Sequence, residues 1–133
     1  MRFLGIDYGG KRVGLAISDD GGRIAFPKGI VSNDDKLVDY IYSLVDEEKI
    51  EEIVLGESMD YSGAPNKIER EVNIFLENIK NRLNIPINRQ KEFFTSVEAR
   101  KLGDMRGDVA SVDDSAAALI LQRYLDKINN TNK

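Results

Sequence analysis

Phe3-Leu4-Gly5-Ile6-Asp7 is a short apolar run that closes on an acid, and Tyr8-Gly9-Gly10 follows it as a turn signal. A second apolar run, Val13 to Ser18, begins only a few residues later, and Asp19-Asp20-Gly21-Gly22 then marks a tight hairpin. Arg23 to Val31 reads as a third strand, in which Pro27 predicts an edge position or a bulge because proline has no N–H for the ladder. Connections this short join only antiparallel neighbours, so the chain opens as a three-stranded meander.

Beyond residue 33 the period changes. Leu37, Ile41, Leu44 and Val45 recur at helical spacing and predict an amphipathic helix from Asp34 to Glu48. Ile53-Val54-Leu55-Gly56 is a short buried strand, and Ile68, Val72, Phe75, Ile79 and Leu83 form the stripe of a second helix. Pro86 to Arg89 is a weaker fifth strand, and a short helix is expected over Thr95 to Leu102, followed by a polar loop from Gly103 to Ala110. The last helix is the clearest: Ser111 can cap it with Asp114 as capping-box partner, and Ala117, Ile120, Leu121, Tyr124 and Ile128 line one face. Residues 1–128 are expected to form one domain, with 129–133 a frayed tail. Right-handed crossovers place strands four and five parallel to the first. The expected fold is therefore α/β: a mixed five-stranded sheet of three antiparallel strands plus two parallel, flanked by helices, which is the ribonuclease-H-like arrangement.

Composition narrows the chemistry. The 133 residues, 41% hydrophobic and 32% charged, suit one globular domain. No apolar run approaches the ~20 residues of a membrane helix, and the N-terminus reaches Asp7 too soon for a signal peptide, so a cytoplasmic protein is expected. The chain has no Cys and no His, which excludes disulfides, thiolate nucleophiles, thiolate-ligated zinc and the usual imidazole base. An enzyme here works with carboxylates, Lys, Arg, Tyr, Ser or Thr, a donor set that suits a hard cation such as Mg²⁺ or Mn²⁺. The net charge of −4, from 19 Lys plus Arg against 23 Asp plus Glu, argues mildly against nucleic acid but leaves room for a local basic patch.

Ligands of open α/β sheets sit beyond the carboxyl ends of the parallel strands. Asp7 ends the first strand, Glu57 ends the fourth directly after Gly56, and Glu92 follows the fifth. Asp113 lies in the first turn of the last helix, where Ala116, Ala117 and Ala118 allow close approach to the sheet. Four acids from distant parts of the chain are thus expected at one edge, where two divalent ions about 4 Å apart would offset their repulsion and support phosphodiester hydrolysis. Taken singly, each has a plainer role. Asp7 can be a turn former, Glu57 and Glu92 solvated loop acids, and Asp113 a helix-dipole partner.

Gly5-Ile-Asp7-Tyr-Gly9-Gly-Lys11-Arg12-Val-Gly14-Leu-Ala16-Ile-Ser18-Asp19 resembles the opening motif of the YqgF/RuvX family. Val112-Asp113, with Ala116-Ala117 and Ile120-Leu-Gln-Arg-Tyr-Leu125, resembles its closing motif, and the likeness spans Arg2 to about Asp126. That family is described both as a Holliday-junction resolvase and as a nuclease that processes the 5′ end of pre-16S rRNA. The resemblance implies a metal-dependent nuclease whose catalytic, metal-binding acids fall on Asp7, Glu92 and Asp113, with Mg²⁺ or Mn²⁺ as cofactor. It also implies that Lys11 and Arg12, which match the family's basic turn, meet the phosphate backbone, against the plainer reading of a solvated hairpin turn. The expected partner is a structured RNA precursor or branched DNA, and symmetric cutting of two junction strands would favour a homodimer.

Two departures stand out. Gly56-Glu57-Ser58 replaces the family's Gly-apolar-Pro, and Lys91-Glu92 replaces its Asp-Glu. Glu57 is the expected compensation, because related resolvases of this fold place an acid on that strand. Two rivals complete the reading. Gly5 to Gly10 also resembles the phosphate loop of sugar kinases and actin-like ATPases, but those proteins need a second similar domain that 133 residues cannot supply. A non-catalytic binding module is the other, and the filled acid positions speak against it.

Overall fold

Alternation along Phe3–Tyr8 (β1) gives the central strand two different faces. Leu4, Ile6 and Tyr8 enter one core, with Leu37, Ile41, Phe75 and Ile79, while Phe3 enters a second core with Ala117, Ile120, Leu121 and Leu125. The structure, a computed structural model, describes residues 1–58, 65–92 and 112–131. Its other elements are Arg12–Ser18 (β2), Ala25–Ser32 (β3), Leu37–Glu47 (α1), Glu52–Ser58 (β4), Pro65–Arg82 (α2), Ile87–Glu92 (β5) and Val112–Thr131 (α3). The strands form a five-stranded sheet in the order β3-β2-β1-β4-β5. β1 pairs antiparallel with β2 and parallel with β4, and β4 pairs parallel with β5. This is the mixed sheet expected from the sequence, covered by α1 and α2 on one face and α3 on the other.

Several boundaries differ from the expectation, each for a local reason. β3 starts at Ala25 rather than Arg23, because the N–H groups of Arg23 and Ile24 donate to Asp19 Oδ1 at 2.8 and 3.0 Å and so belong to the hairpin loop. Pro27 does sit on the edge strand, and the register slips between Leu15 and Ala16 where Gly29 and Pro27 pair across from them. α1 starts at Leu37 rather than Asp34, since Asp34 Oδ1 accepts the Lys36 N–H at 3.0 Å in a turn that competes with helix. β5 runs on to Glu92, although residues 88–92 are all polar: as an edge strand it is held by its ladder to β4 rather than by burial of both faces. α3 continues to Thr131, and Asn129 Nδ2 donates to the Gly22 carbonyl at 3.1 Å, so residues 129–131 extend the helix instead of forming a tail. The expected short helix at 95–102, the loop at 103–110 and the Ser111 cap lie outside the described residues.

α3 approaches the sheet closely because glycines line its path. A Cβ on Gly5 would fall 2.8 Å from Leu121 Cβ and 3.2 Å from the Ala117 carbonyl. Farther down, the rings of Phe3 and Tyr124 meet edge-on with centroids 6.0 Å apart. Moving up β1 from Phe3 to Gly5 therefore means moving back along α3 from Tyr124 to Leu121 and Ala117. The helix runs antiparallel to β1, and its N-terminal turn lies at the edge where β1 ends.

Candidate active site

Asp7 stands on the central strand with a glycine on either side, Gly14 of β2 and Gly56 of β4. It shares its strand phase with Phe3 and Gly5, the residues that meet α3. The two residues paired directly with it therefore carry no side chain on that face. Asp7 is half-buried, and its Oδ1 is sealed from solvent.

The side chains of Glu57, Glu92 and Asp113 lie outside the described ones, but their backbone places are defined. Glu92 is the last residue of β5, opposite Ser58, and not beyond the strand as expected. Gln90 lines up with Gly56, which lines up with Asp7, so Glu92 is two residues farther along in the same phase. Glu57 is the penultimate residue of β4, one step past Gly56 and out of phase with Asp7. Asp113 is the second residue of α3, four before Ala117 and eight before Leu121, the residues that press on Gly5. Its turn is the positive end of the helix dipole, where an acid is favoured.

Among the described residues no three potential ligand side chains gather into a metal cluster, so the cluster itself remains a proposal. The donor set fits a hard divalent cation. Without His or Cys, any ligand group built at this edge is made of oxygens.

Lys11 and Arg12 are both exposed. Lys11 lies in the turn between β1 and β2, whereas Arg12 is already the first residue of β2, paired with Ser32. That turn is tight: a Cβ on Gly9 would lie 2.5 Å from the Arg12 carbonyl. It is also tied to Asn33, whose Nδ2 donates to the Gly9 carbonyl at 2.7 Å.

The model of the family described as "RuvX: Holliday junction resolvase" matches residues 1–127. The chain belongs to the RuvX family. Among curated relatives, one from Nitratidesulfovibrio vulgaris (strain DSM 19637 / Miyazaki F) is 37% identical over 133 residues, covering 95% of this chain and 94% of the relative. Another, from Dictyoglomus turgidum, is 34% identical over 141 residues and covers 100% of this chain and 99% of its own. Both carry the name "Putative pre-16S rRNA nuclease". Among solved structures, Thermus thermophilus RuvC in complex with a Holliday junction superposes with a TM-score of 0.65 at 14% identity, covering 98% of each chain. The fowlpox virus resolvase bound to Holliday junction DNA gives 0.58 at 15% identity, over 96% of this chain and 99% of the other. At these identities the likeness establishes the ribonuclease-H-like fold of this RuvX chain.

Two features of the site were invisible in the sequence. The glycines that flank Asp7 come from β2 and β4, and only the register reveals them. Asn33 acts on carbonyls more than twenty residues away, and no local pattern marks it.

Proposed function

We propose that this RuvX chain is a divalent-metal-dependent endonuclease that hydrolyses phosphodiester bonds, with the 5′ end of pre-16S rRNA as its substrate. The observation that carries the reading is the placement of Asp7 on the central strand, between two glycines and at the edge where the N-terminal turn of α3 lies. The names of the curated relatives support the substrate. Asp7, Glu92 and Asp113 are the proposed ligands, with Glu57 as a fourth candidate. Bound Mg²⁺ or Mn²⁺ would supply an activated water and neutralise charge on the leaving oxygen. The exposed Lys11 and Arg12 orient a backbone phosphate beside this edge. With no His or Cys, any proton moved by a side chain passes through a carboxylate, Lys, Arg, Tyr, Ser or Thr.

Branched DNA is the second reading, favoured by the description of the family model. A junction resolvase would work as a homodimer, whereas an rRNA-processing enzyme can act as a monomer in the cytoplasm. No helix among the described residues is long and apolar enough to cross a membrane.

Purified protein is incubated with a pre-16S 5′-leader RNA and with a four-way DNA junction, each with Mg²⁺, with Mn²⁺ and with excess chelator. The expected result is cleavage of the RNA that chelator abolishes. Paired symmetric nicks in the junction with intact RNA would move the assignment to DNA. Undiminished cleavage in chelator would overturn the metal-dependent reading.

A further inference from the structure

Asn33, one residue past β3, makes three hydrogen bonds to the turn that follows β1. Its backbone N–H donates to the Lys11 carbonyl at 2.9 Å. Its Nδ2 donates to the Gly9 carbonyl at 2.7 Å and, more weakly, to the Gly10 carbonyl at 3.4 Å. Three successive carbonyls are thus turned toward one residue. The peptides are trans and planar, so each amide N–H points away from the carbonyl of its own peptide. Drawing the Gly9 and Gly10 carbonyls toward Asn33 therefore sends the N–H groups of Gly10 and Lys11 to the opposite side. Gly9 allows the tight path, while the Cβ position of Gly10 meets nothing within 4 Å and faces open space.

We propose that Asn33 is a positioning residue for phosphate recognition: by gathering the carbonyls of Gly9, Gly10 and Lys11, it presents the amides of Gly10 and Lys11, with the Lys11 side chain, to a nucleic-acid phosphate. This rests on the nuclease reading above. Without the carboxamide, the Gly9 and Gly10 carbonyls must find water instead. The peptide planes then rotate and carry the outward N–H groups with them. The exposed acids that follow, Asp34 and Asp35, make a fixed turn more important, because an anion is held only by donors in defined places. Among the described residues the bonds of Asn33 run to the turn carbonyls and not to Asp7, so its influence falls on substrate binding and not on the metal.

The experiment uses the full chain, a fluorescein-labelled RNA hairpin and a labelled four-way DNA junction. Binding is measured in chelator across a salt series, and kcat and KM are measured with Mg²⁺. Asn33→Ala is expected to raise Kd and KM about five- to tenfold with kcat nearly unchanged, the pattern of lost uniform binding. Its salt slope falls by about one unit. Lys11→Ala combined with Asn33→Ala is expected to be little worse than Lys11→Ala alone, because both act on one contact. Asn33→Gln keeps the amide donor and lands between parent and alanine variant, and it gives the same reading if the alanine variant does not fold. Parent-like KM and salt slope in both variants, or strictly additive losses with Lys11→Ala, would overturn the role of Asn33 alone. Failure of the parent to bind or cut either nucleic acid would overturn the nuclease reading and this inference with it.

Discussion

Gly56 and Ile120 are in such close contact that a Cβ on Gly56 would fall 2.4 Å from Ile120 Cδ1 and 2.5 Å from its Cγ2. Ile120 is fully buried and branched at Cβ, so it cannot swing clear. Gly56→Ala must push α3 off the sheet at the level of Asp7. The expected cost is roughly 1–3 kcal/mol, the range for overpacking a close-fitted core, read as a lower urea midpoint. Cleavage is expected to fall further than stability does, because the N-terminal turn of α3 shifts with the helix. A variant with parental stability and activity would mean that the glycine stripe does not set the height of the helix.

Asp7→Asn is expected to abolish cleavage and to stabilise the protein in chelator. A half-buried carboxylate costs more to hold than an amide, and the acids proposed to share this edge would add repulsion. The gain should be roughly 0.5–2 kcal/mol, as in other substitutions that trade function for stability. Mg²⁺ should raise the melting temperature of the parent more than that of the variant. Lower melting in chelator together with an equal Mg²⁺ response would leave Asp7 as a turn residue.

Glu57 and Glu92 are separated by phase. Glu92 keeps step with Asp7, while Glu57 does not. Glu92→Gln should therefore raise the Mg²⁺ concentration for half-maximal cleavage more than Glu57→Gln does. The reverse order would make Glu57 the principal ligand on this side of the sheet.

How much of this was legible in the chain depends on what holds each element. The meander could be read because apolar runs and glycine turns coincide from Phe3 to Ser18. β5 could be placed but not bounded: Asn88 to Glu92 carries no apolar signal, and the pairing with β4 that extends it is a backbone property. The start of α1 lies at Leu37 and not at Asp34 because the Asp34 side chain closes a turn on Lys36, which the apolar spacing of the helix does not register. Asp7 was legible as an acid at a strand end before Gly9-Gly10. Its setting between Gly14 and Gly56 was not, since strand register is fixed by the whole sheet.

Tyr124 gives an alkaline prediction. Its hydroxyl donates to Glu52 Oε2 at 2.7 Å, and Asn88 Nδ2 donates to the same oxygen at 2.6 Å. Burial first, and then the Glu52 carboxylate, push the phenol from its ordinary 10.0 up to about 12. Between those values the unfolded chain has lost the proton and the folded chain keeps it, so this contribution to stability fades as pH rises from about 10 to about 12. Tyr124→Phe should flatten that loss, at a cost near neutral pH of roughly 0.5–1.5 kcal/mol for the missing hydrogen bond. Urea midpoints for both proteins on either side of pH 10 check it, and parallel pH curves would refute the coupling.

Lys49 has φ of 55°, the left-handed conformation that usually belongs to glycine. The residue after it, Ile50, is buried and donates its N–H to the Val45 carbonyl at 3.0 Å, so the chain has to turn there. Lys49→Gly relieves ~1–2 kcal/mol of backbone strain and gives back part of it in unfolded-state entropy. A net gain of roughly 0.5–1 kcal/mol is expected, visible as a higher melting temperature with cleavage unchanged. A lower melting temperature would show that the lysine side chain contributes more than the strain costs.

The packing of α3 also sets an order of events on the ribosome. Phe3, Ala16 and Val54 are among the first apolar residues to emerge, and their cover comes from Ala117 to Leu125. Among the described residues, no segment synthesised in between replaces it on that face. A nascent chain halted before residue 112 lacks the helix that covers Phe3, Ala16 and Val54, and uncovered apolar sheet surface is the kind that chaperones retain. It also lacks Asp113, so it has no complete set of proposed ligand acids. Docking of α3 would then be both the last folding step and the moment at which the protein could first cut, which spares the cell a half-made nuclease.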